Sequence, residues 1–213
     1  MFPNMTKSVI EELRRGMKGF VYLGAHAGSA AAAVKARVGK AWGAYHALQQ
    51  KLWRHRRIST ATKCRIWQCV VLPVLMYGLA ALPVSAAAAK PLDSFAYRCA
   101  RRLLGVFGST PLSYVDVVSR FAAMGRVWQW PSRLLADQQM RNFGHFARHY
   151  PDVAAWDPEG AKRPRGRPVT RMHDVVRHHL GWTSKEAPRD ILLLFAQDRT
   201  EWSGLAGMID DSF

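Results

Sequence analysis

"RISTATKCRIWQCVVLPVLMYGLAALPVSAAAAK", residues 57–90, is the stretch on which the fold turns. From Ile66 to Ala89 it carries no charged side chain, a length sufficient to cross a bilayer as a helix. It allows two architectures, a membrane span or a pair of buried helices. Pro73, Gly78 and Pro83 interrupt it, and its last third is alanine and serine, which insert weakly into lipid. These interruptions favour a buried, proline-broken helix pair. The pair begins with Ser59 or Thr60 as N-cap, reaches Pro73 and continues, kinked, to Leu82. A single-span membrane protein through 66–89 is the rival reading.

Working outward, residues 29–57 carry Val34, Val38, Ala41, Trp42, Tyr45, Leu48, Leu52 and Trp53 at three- and four-residue steps, one apolar helical stripe. Before it, "GFVYLGAHAG" (19–28) is short, aromatic, β-branched and bounded by glycines, and reads as a strand or hairpin arm. Residues 5–16 read as a short helix with Thr6 as a cap. On the other side, residues 87–106 form a helix with Leu92, Phe95, Cys99, Leu103 and Leu104 on one side, closed by Gly105 and Gly108. Further helices are read at 109–125, at 126–150 (one or two, around Pro131), at 169–180 and at 187–206. A loop rich in Pro, Gly and Arg occupies 151–168. The fold class is mainly α: a helical bundle with a short β element near the N-terminus, then a second small helical region, with a seam near 107–112.

The charge is lopsided. Lys and Arg number 31 against 15 Asp and Glu, a net charge of +16. Between residues 13 and 92 there are thirteen cations and no acid. A merely soluble surface mixes its signs, so this distribution points to a polyanionic partner, nucleic acid before membrane. The three cysteines show no paired spacing, which argues against a disulfide framework and a zinc ribbon and for a reducing, intracellular compartment, nucleus or cytoplasm. The first residues lack the apolar run of a secretory signal.

The order of several short motifs carries a resemblance. Tyr22-Leu23-Gly24 is followed by Leu52-Trp53, by Ile58-Ser59 with Thr62-Lys63, by Val71-x-Pro73-x-Leu75-x-Tyr77-Gly78, and by Arg98 through Gly105. In the tail come Gly144, His145 and Arg148, then Gly166-Arg167-Pro168, then Ala196, Asp198, Arg199 and Trp202. Together they resemble the thumb and post-thumb tail of non-LTR retrotransposon reverse transcriptases over about 18–205. Met172 departs from the pattern, standing where tryptophan is usual.

The resemblance implies three parts: a remnant of the palm edge at 1–28, a thumb-like helical domain at 29–108, and a helical C-terminal tail at 109–213 with the basic loop at 151–168. It also implies that the thumb grips an RNA–DNA hybrid, or DNA, through its phosphates. Lys35, Lys40, Lys51, Arg54, Arg56, Arg57, Lys63 and Arg65 are the first candidates for that grip, with Arg98, Arg101 and Arg102 second.

The palm of such an enzyme holds two Mg²⁺ ions on an aspartate and a paired Asp-Asp. Here the adjacent acidic pairs are Glu11-Glu12 and Asp210-Asp211, neither in a strand-turn-strand context. The expectation is therefore a fragment that binds nucleic acid but does not polymerise, needs no cofactor of its own, and works with a separate palm and fingers polypeptide if at all.

"PRGRP" (164–168) has a second reading. An extended Pro-Arg-Gly-Arg-Pro segment suits the A/T-rich minor groove, with Arg165 and Arg167 at its floor, and would make the chain a stand-alone DNA-binding protein. It runs straight into a helix rather than a polar flank, which favours a basic loop that meets phosphates. His145 and His149 stand at a metal-compatible i,i+4 spacing, but no acid or cysteine falls at a matching step, so packing is preferred. Pro151-Asp152 opens a restriction-like nuclease pattern that Glu159 and Lys162 fail to complete, being one residue too far apart. Trp42, Trp53 and Trp67 read as core. Trp128 and Trp130 beside Arg126 and Arg133 read as core before base-stacking platforms.

Overall fold

The computed structural model describes residues 20–22, 25–27, 29–108, 110–154, 171–183 and 188–207. The helix read at 5–16, the two acidic pairs, Glu159, Lys162 and the 164–168 segment with Arg165 and Arg167 lie outside the described residues. The protein is mainly helical. The backbone of β1 (Phe20–Tyr22) pairs antiparallel with that of β2 (Ala25–Ala27), Val21 opposite His26.

Helix α1 (Ala30–Ala47) starts at Ser29, whose hydroxyl caps the N–H of Ala32. A widened, π-helical turn follows at Gln49–Trp53. It folds back on α1 because Trp53 Nε1 donates to the Tyr45 carbonyl at 2.7 Å and its ring stacks on Tyr45 at 5.1 Å. The stripe read over 29–57 is thus one helix and one turn, not a single helix.

Ser59 caps α2 (Thr60–Ile66), its hydroxyl accepting from Thr62 N at 3.1 Å. The chain then widens into a π-helical turn (Trp67–Val71) and tightens again as α3 (Leu72–Met76). The widening has a cause. Pro73 offers no N–H and its ring crowds the carbonyl four residues back, which a π turn relieves. The rod therefore passes through Pro73. It stops at Gly78, whose φ of 74° suits glycine, and a 3₁₀ turn follows at Leu79–Ala81.

Thr60–Ala81 is long and apolar enough, by length and composition, to cross a membrane. In the fold its Cys64, Trp67, Val71, Leu72, Leu75, Met76 and Leu79 are buried, while Arg65, Cys69, Val70 and Tyr77 face outward. The rod packs against α1 and against α4 (Ala86–Leu103).

Helix α4 is capped by Ser85 and ends before Gly105, φ 71°. It buries Leu92, Phe95, Cys99 and Leu103, as its spacing predicts. Helix α5 (Tyr114–Ala122) opens with a capping box, in which Ser113 and Asp116 each accept the other's backbone N–H, at 3.0 and 2.9 Å. Helix α6 (Pro131–His149) is single, with Pro131 at its first position, where a missing N–H costs nothing. Its N-cap residue, Trp130, has no capping oxygen. Asp93, reaching over from α4, accepts the Ser132 N–H at 3.0 Å instead.

Short α7 (Pro151–Ala154) is followed by α8 (Met172–His179), α9 (Arg189–Phe195) and α10 (Arg199–Gly207). The helix read at 187–206 is two helices. The first ends at Phe195, and Asp198 starts the next, its carboxylate accepting from Thr200 N at 2.7 Å and Glu201 N at 2.9 Å.

Two apolar clusters result, and α6 serves both. The first runs from Ala33 to Leu135 and includes Leu112, Val117, Phe121 and Trp128, so buried contact continues past residues 107–112. The second joins Ala136, Met140, Phe143 and Ala147 to Val176, Leu192, Ala196, Trp202 and Ala206. Between them lies Gln139, fully buried. Its amide donates to the Leu82 and Val84 carbonyls at 2.8 and 3.4 Å, which leaves its oxygen to accept from His179 Nε2 at 2.9 Å. Burial holds His179 down at about 4.

Candidate nucleic-acid interface

A helix end supplies the densest part of the basic surface. Where the π turn leaves α1, residues 51–57 must cross to α2 over the outside of the bundle, and four of the seven are cations. Lys51, Arg54, Arg56 and Arg57 are all exposed, with His55 among them. Like charges this close repel one another, and a polyanion relieves that repulsion while releasing its own counterions. Arg102 joins this end from α4. Its guanidinium lies 5.1 Å from the Trp42 ring centre and 5.9 Å from that of Tyr45, the ring on which Trp53 stacks. Burial, followed by the nearby Cys99, pushes the Tyr45 phenol up to about 12, against the pull of Arg102.

Arg65 on α2 and Arg98 on α4 are exposed, as are Lys35 and Lys40 on α1. Five residues apart, Lys35 and Lys40 are separated by about 140° around the helix, so they flank the outer face of α1 rather than forming a line.

One observation unites these side chains. Across 29–108 the only acid is Asp93, which is partly buried with its carboxylate turned to Ser132 N. Every exposed charge in that region is therefore positive: Lys35, Lys40, Lys51, Arg54, Arg56, Arg57, Arg65, Lys90, Arg98 and Arg102.

Two of the residues expected to grip are occupied elsewhere. Lys63 is half-buried and its ammonium donates to the Trp53 carbonyl at 2.9 Å, closing the turn between α1 and α2. Arg101 is half-buried and holds the loop after α4, donating to Gly108 O at 2.7 Å, Thr110 O at 2.9 Å and Tyr97 Oη at 3.3 Å. Conversely, Arg37 is 7% exposed, and its guanidinium lies 4.5 Å from the Tyr77 ring centre, tying α1 to the end of α3. Spacing carried the signal, since Arg37 falls on the same stripe as Val34 and Ala41.

The tail motifs meet in space. Trp202, 2% exposed, donates its indole N–H to the Met140 carbonyl at 2.8 Å and lies 5.6 Å from the Phe143 ring. Gly144 makes this possible, because a Cβ there would overlap Trp202 Cδ1 and Nε1. Arg148 Nη1 donates to the Ala196 carbonyl at 2.7 Å. Gly144 and Trp202 thus lock α6 to α10, while Arg148 ties α6 to Ala196 at the end of α9.

Trp67, Trp128, Cys64 and Cys99 lie in the core. Trp67 and Trp128 stack at 4.5 Å, and Trp128 stacks on Phe121 at 4.6 Å. Trp130 is half-buried against Tyr114. Burial pushes the Cys64 thiol up to about 11 and the Cys99 thiol to about 12, so neither is a ready thiolate near neutral pH. Among the described residues, no three His, Cys, Asp or Glu side chains converge as metal ligands would.

Set beside known proteins, the chain matches no protein-family model, no curated protein and no solved structure.

Proposed function

We propose that this protein grips nucleic acid by its phosphate backbone, in the manner of the thumb of a non-LTR retrotransposon reverse transcriptase, with an RNA–DNA hybrid or DNA as the ligand. The observation that carries the reading is the exclusively positive exposed charge of 29–108, densest at Lys51, Arg54, Arg56 and Arg57. The crossing between α1 and α2 presents these cations, and the packing that holds it in place, through Trp53 on Tyr45, does not involve them, so they meet phosphates without reorganising the fold. No base-reading constellation accompanies them, and recognition is therefore tolerant of sequence. The role assigned is binding, with the nucleotidyl-transfer chemistry left to a separate palm and fingers polypeptide.

The test is fluorescence anisotropy with labelled RNA–DNA hybrids of unrelated sequence, and with duplex DNA with and without an A/T tract. The expected result is similar affinity for all hybrids, and A/T-tract binding that survives Arg165→Ala with Arg167→Ala. A strong A/T preference abolished by that pair of substitutions would replace the grip with a minor-groove hook.

A further inference from the structure

The tail holds a second positive feature that the grip does not use. Between α6 and α10 lies a cavity of about 460 Å³, open on one side. Arg141, His145, Arg148 and His149 line it from α6, and Arg199 and Ser203 line it from α10. The volume falls in the range of small-ligand sites.

Among the described residues no acid lines it, and two acids nearby in sequence are held by other groups. Asp137 is engaged by Arg141 Nε at 2.9 Å, and Asp198 is engaged in capping α10. The motif residues divide in the same way. Gly144 and Trp202 build the α6–α10 contact, Arg148 and Ala196 tie α6 to the end of α9, and Asp198 caps α10. His145 and Arg199 contribute nothing to that lock, yet both are exposed at the cavity. The His145 ring lies 4.7 Å from that of His149, so the two imidazoles stand side by side at the cavity.

With Arg141 paired to Asp137, the guanidiniums of Arg148 and Arg199 remain around the concave space beside two imidazoles, a lining that disfavours a metal cation and favours an anion. Among the described residues, the one Phe, Tyr or Trp at its wall is Trp202, whose N–H is taken and which is 2% exposed, so the indole offers no face to a base. We propose that this cavity is a binding site for a phosphomonoester dianion. It would recognise the terminal phosphate of a small phosphorylated molecule or of a nucleic-acid strand end, with Arg199, Arg148 and His145 as its main donors. Lining one concave space distinguishes these cations from the open basic surface of 29–108, and the proposal does not rest on the hybrid-gripping reading.

The test is calorimetric titration of the full chain at constant ionic strength with inorganic phosphate, adenosine monophosphate, and one short oligonucleotide carrying either a 5′-phosphate or a 5′-hydroxyl. The variant is His145→Ala with Arg199→Ala, both exposed, which leaves the Arg148 contact and the fold in place. Saturable binding of phosphate or the mononucleotide is expected, weakened about tenfold or more in the variant. The variant's thermal midpoint and hybrid affinity should not change. Preference for the phosphorylated oligonucleotide adds the strand end to the ligands, and absence of that preference confines the site to small phosphomonoesters. No saturable binding by the unsubstituted chain, or equal binding by the variant, overturns the proposal.

Discussion

Replacing Gly144 by alanine sets two effects against each other, and the structure says which wins. In the interior of a helix the exchange ordinarily stabilises by about 1 kcal/mol. At Gly144 the new methyl group would overlap the Trp202 ring edge, the same edge that donates to Met140 O at 2.8 Å. Trp202 must then shift within a cluster where Phe143, Ala147 and Ala206 leave it little room. Overpacking of that kind costs about 1–3 kcal/mol, and a buried N–H pulled off its acceptor costs about 1–3 kcal/mol more. The expected net loss is about 3 kcal/mol. Urea denaturation followed by far-ultraviolet circular dichroism reads it as a lower midpoint at unchanged slope. Gly43→Ala supplies the contrast. It lies inside α1, where nothing stands within 4 Å of an added Cβ, so the same exchange should stabilise by up to about 1 kcal/mol. A Gly144→Ala chain as stable as the original would refute the interlock of α6 with α10.

Four further outcomes follow from the same reasoning. The folded-state value of His179, about 4, lies below its ordinary 6.5, so the unfolded chain binds more protons between these values. Stability should be full above pH 6.5 and fall as pH drops toward 4, by at most about 3 kcal/mol from this group, with the slope reduced in His179→Gln; midpoints at pH 7 and 4.5 check it. Of the three cysteines, only Cys69 is exposed, so a thiol reagent should modify one sulfhydryl in the folded chain and three in denaturant. Arg101→Ala should cost about 1–3 kcal/mol by releasing the loop at Gly108 and Thr110. Arg98→Ala should leave stability within about 0.5 kcal/mol and instead weaken hybrid binding.

The helices were legible because their apolar residues keep a regular period. Leu92, Phe95, Cys99 and Leu103 predicted the buried face of α4, and Ser59 its neighbour's start. Pro73 was read as a kink because proline removes a hydrogen bond, but the local sequence does not reveal that a π turn just before it absorbs the mismatch. Asp198 broke the last helix through a side-chain cap that apolar spacing overlooks. For the basic surface, sequence identifies the cations but not their obligations. Lys63 and Arg101 look like their neighbours until the carbonyls they satisfy are seen, while Arg37 carried its clue in its register. The cavity between α6 and α10 had no sequence signal, since Arg148 and Arg199 meet only through the fold.

The central claim is that exposed cations at one end of the bundle hold phosphates. Affinity for an RNA–DNA hybrid measured from 50 to 200 mM salt tests it most directly, for the unsubstituted chain and for Arg54→Ala, Arg56→Ala, Arg57→Ala together. With four or more phosphate contacts, affinity should fall by about 10²-fold over that range, and the triple variant should show a log–log slope shallower by about 2 to 3. Affinity that does not change with salt, or a triple variant with the original slope, would contradict the account.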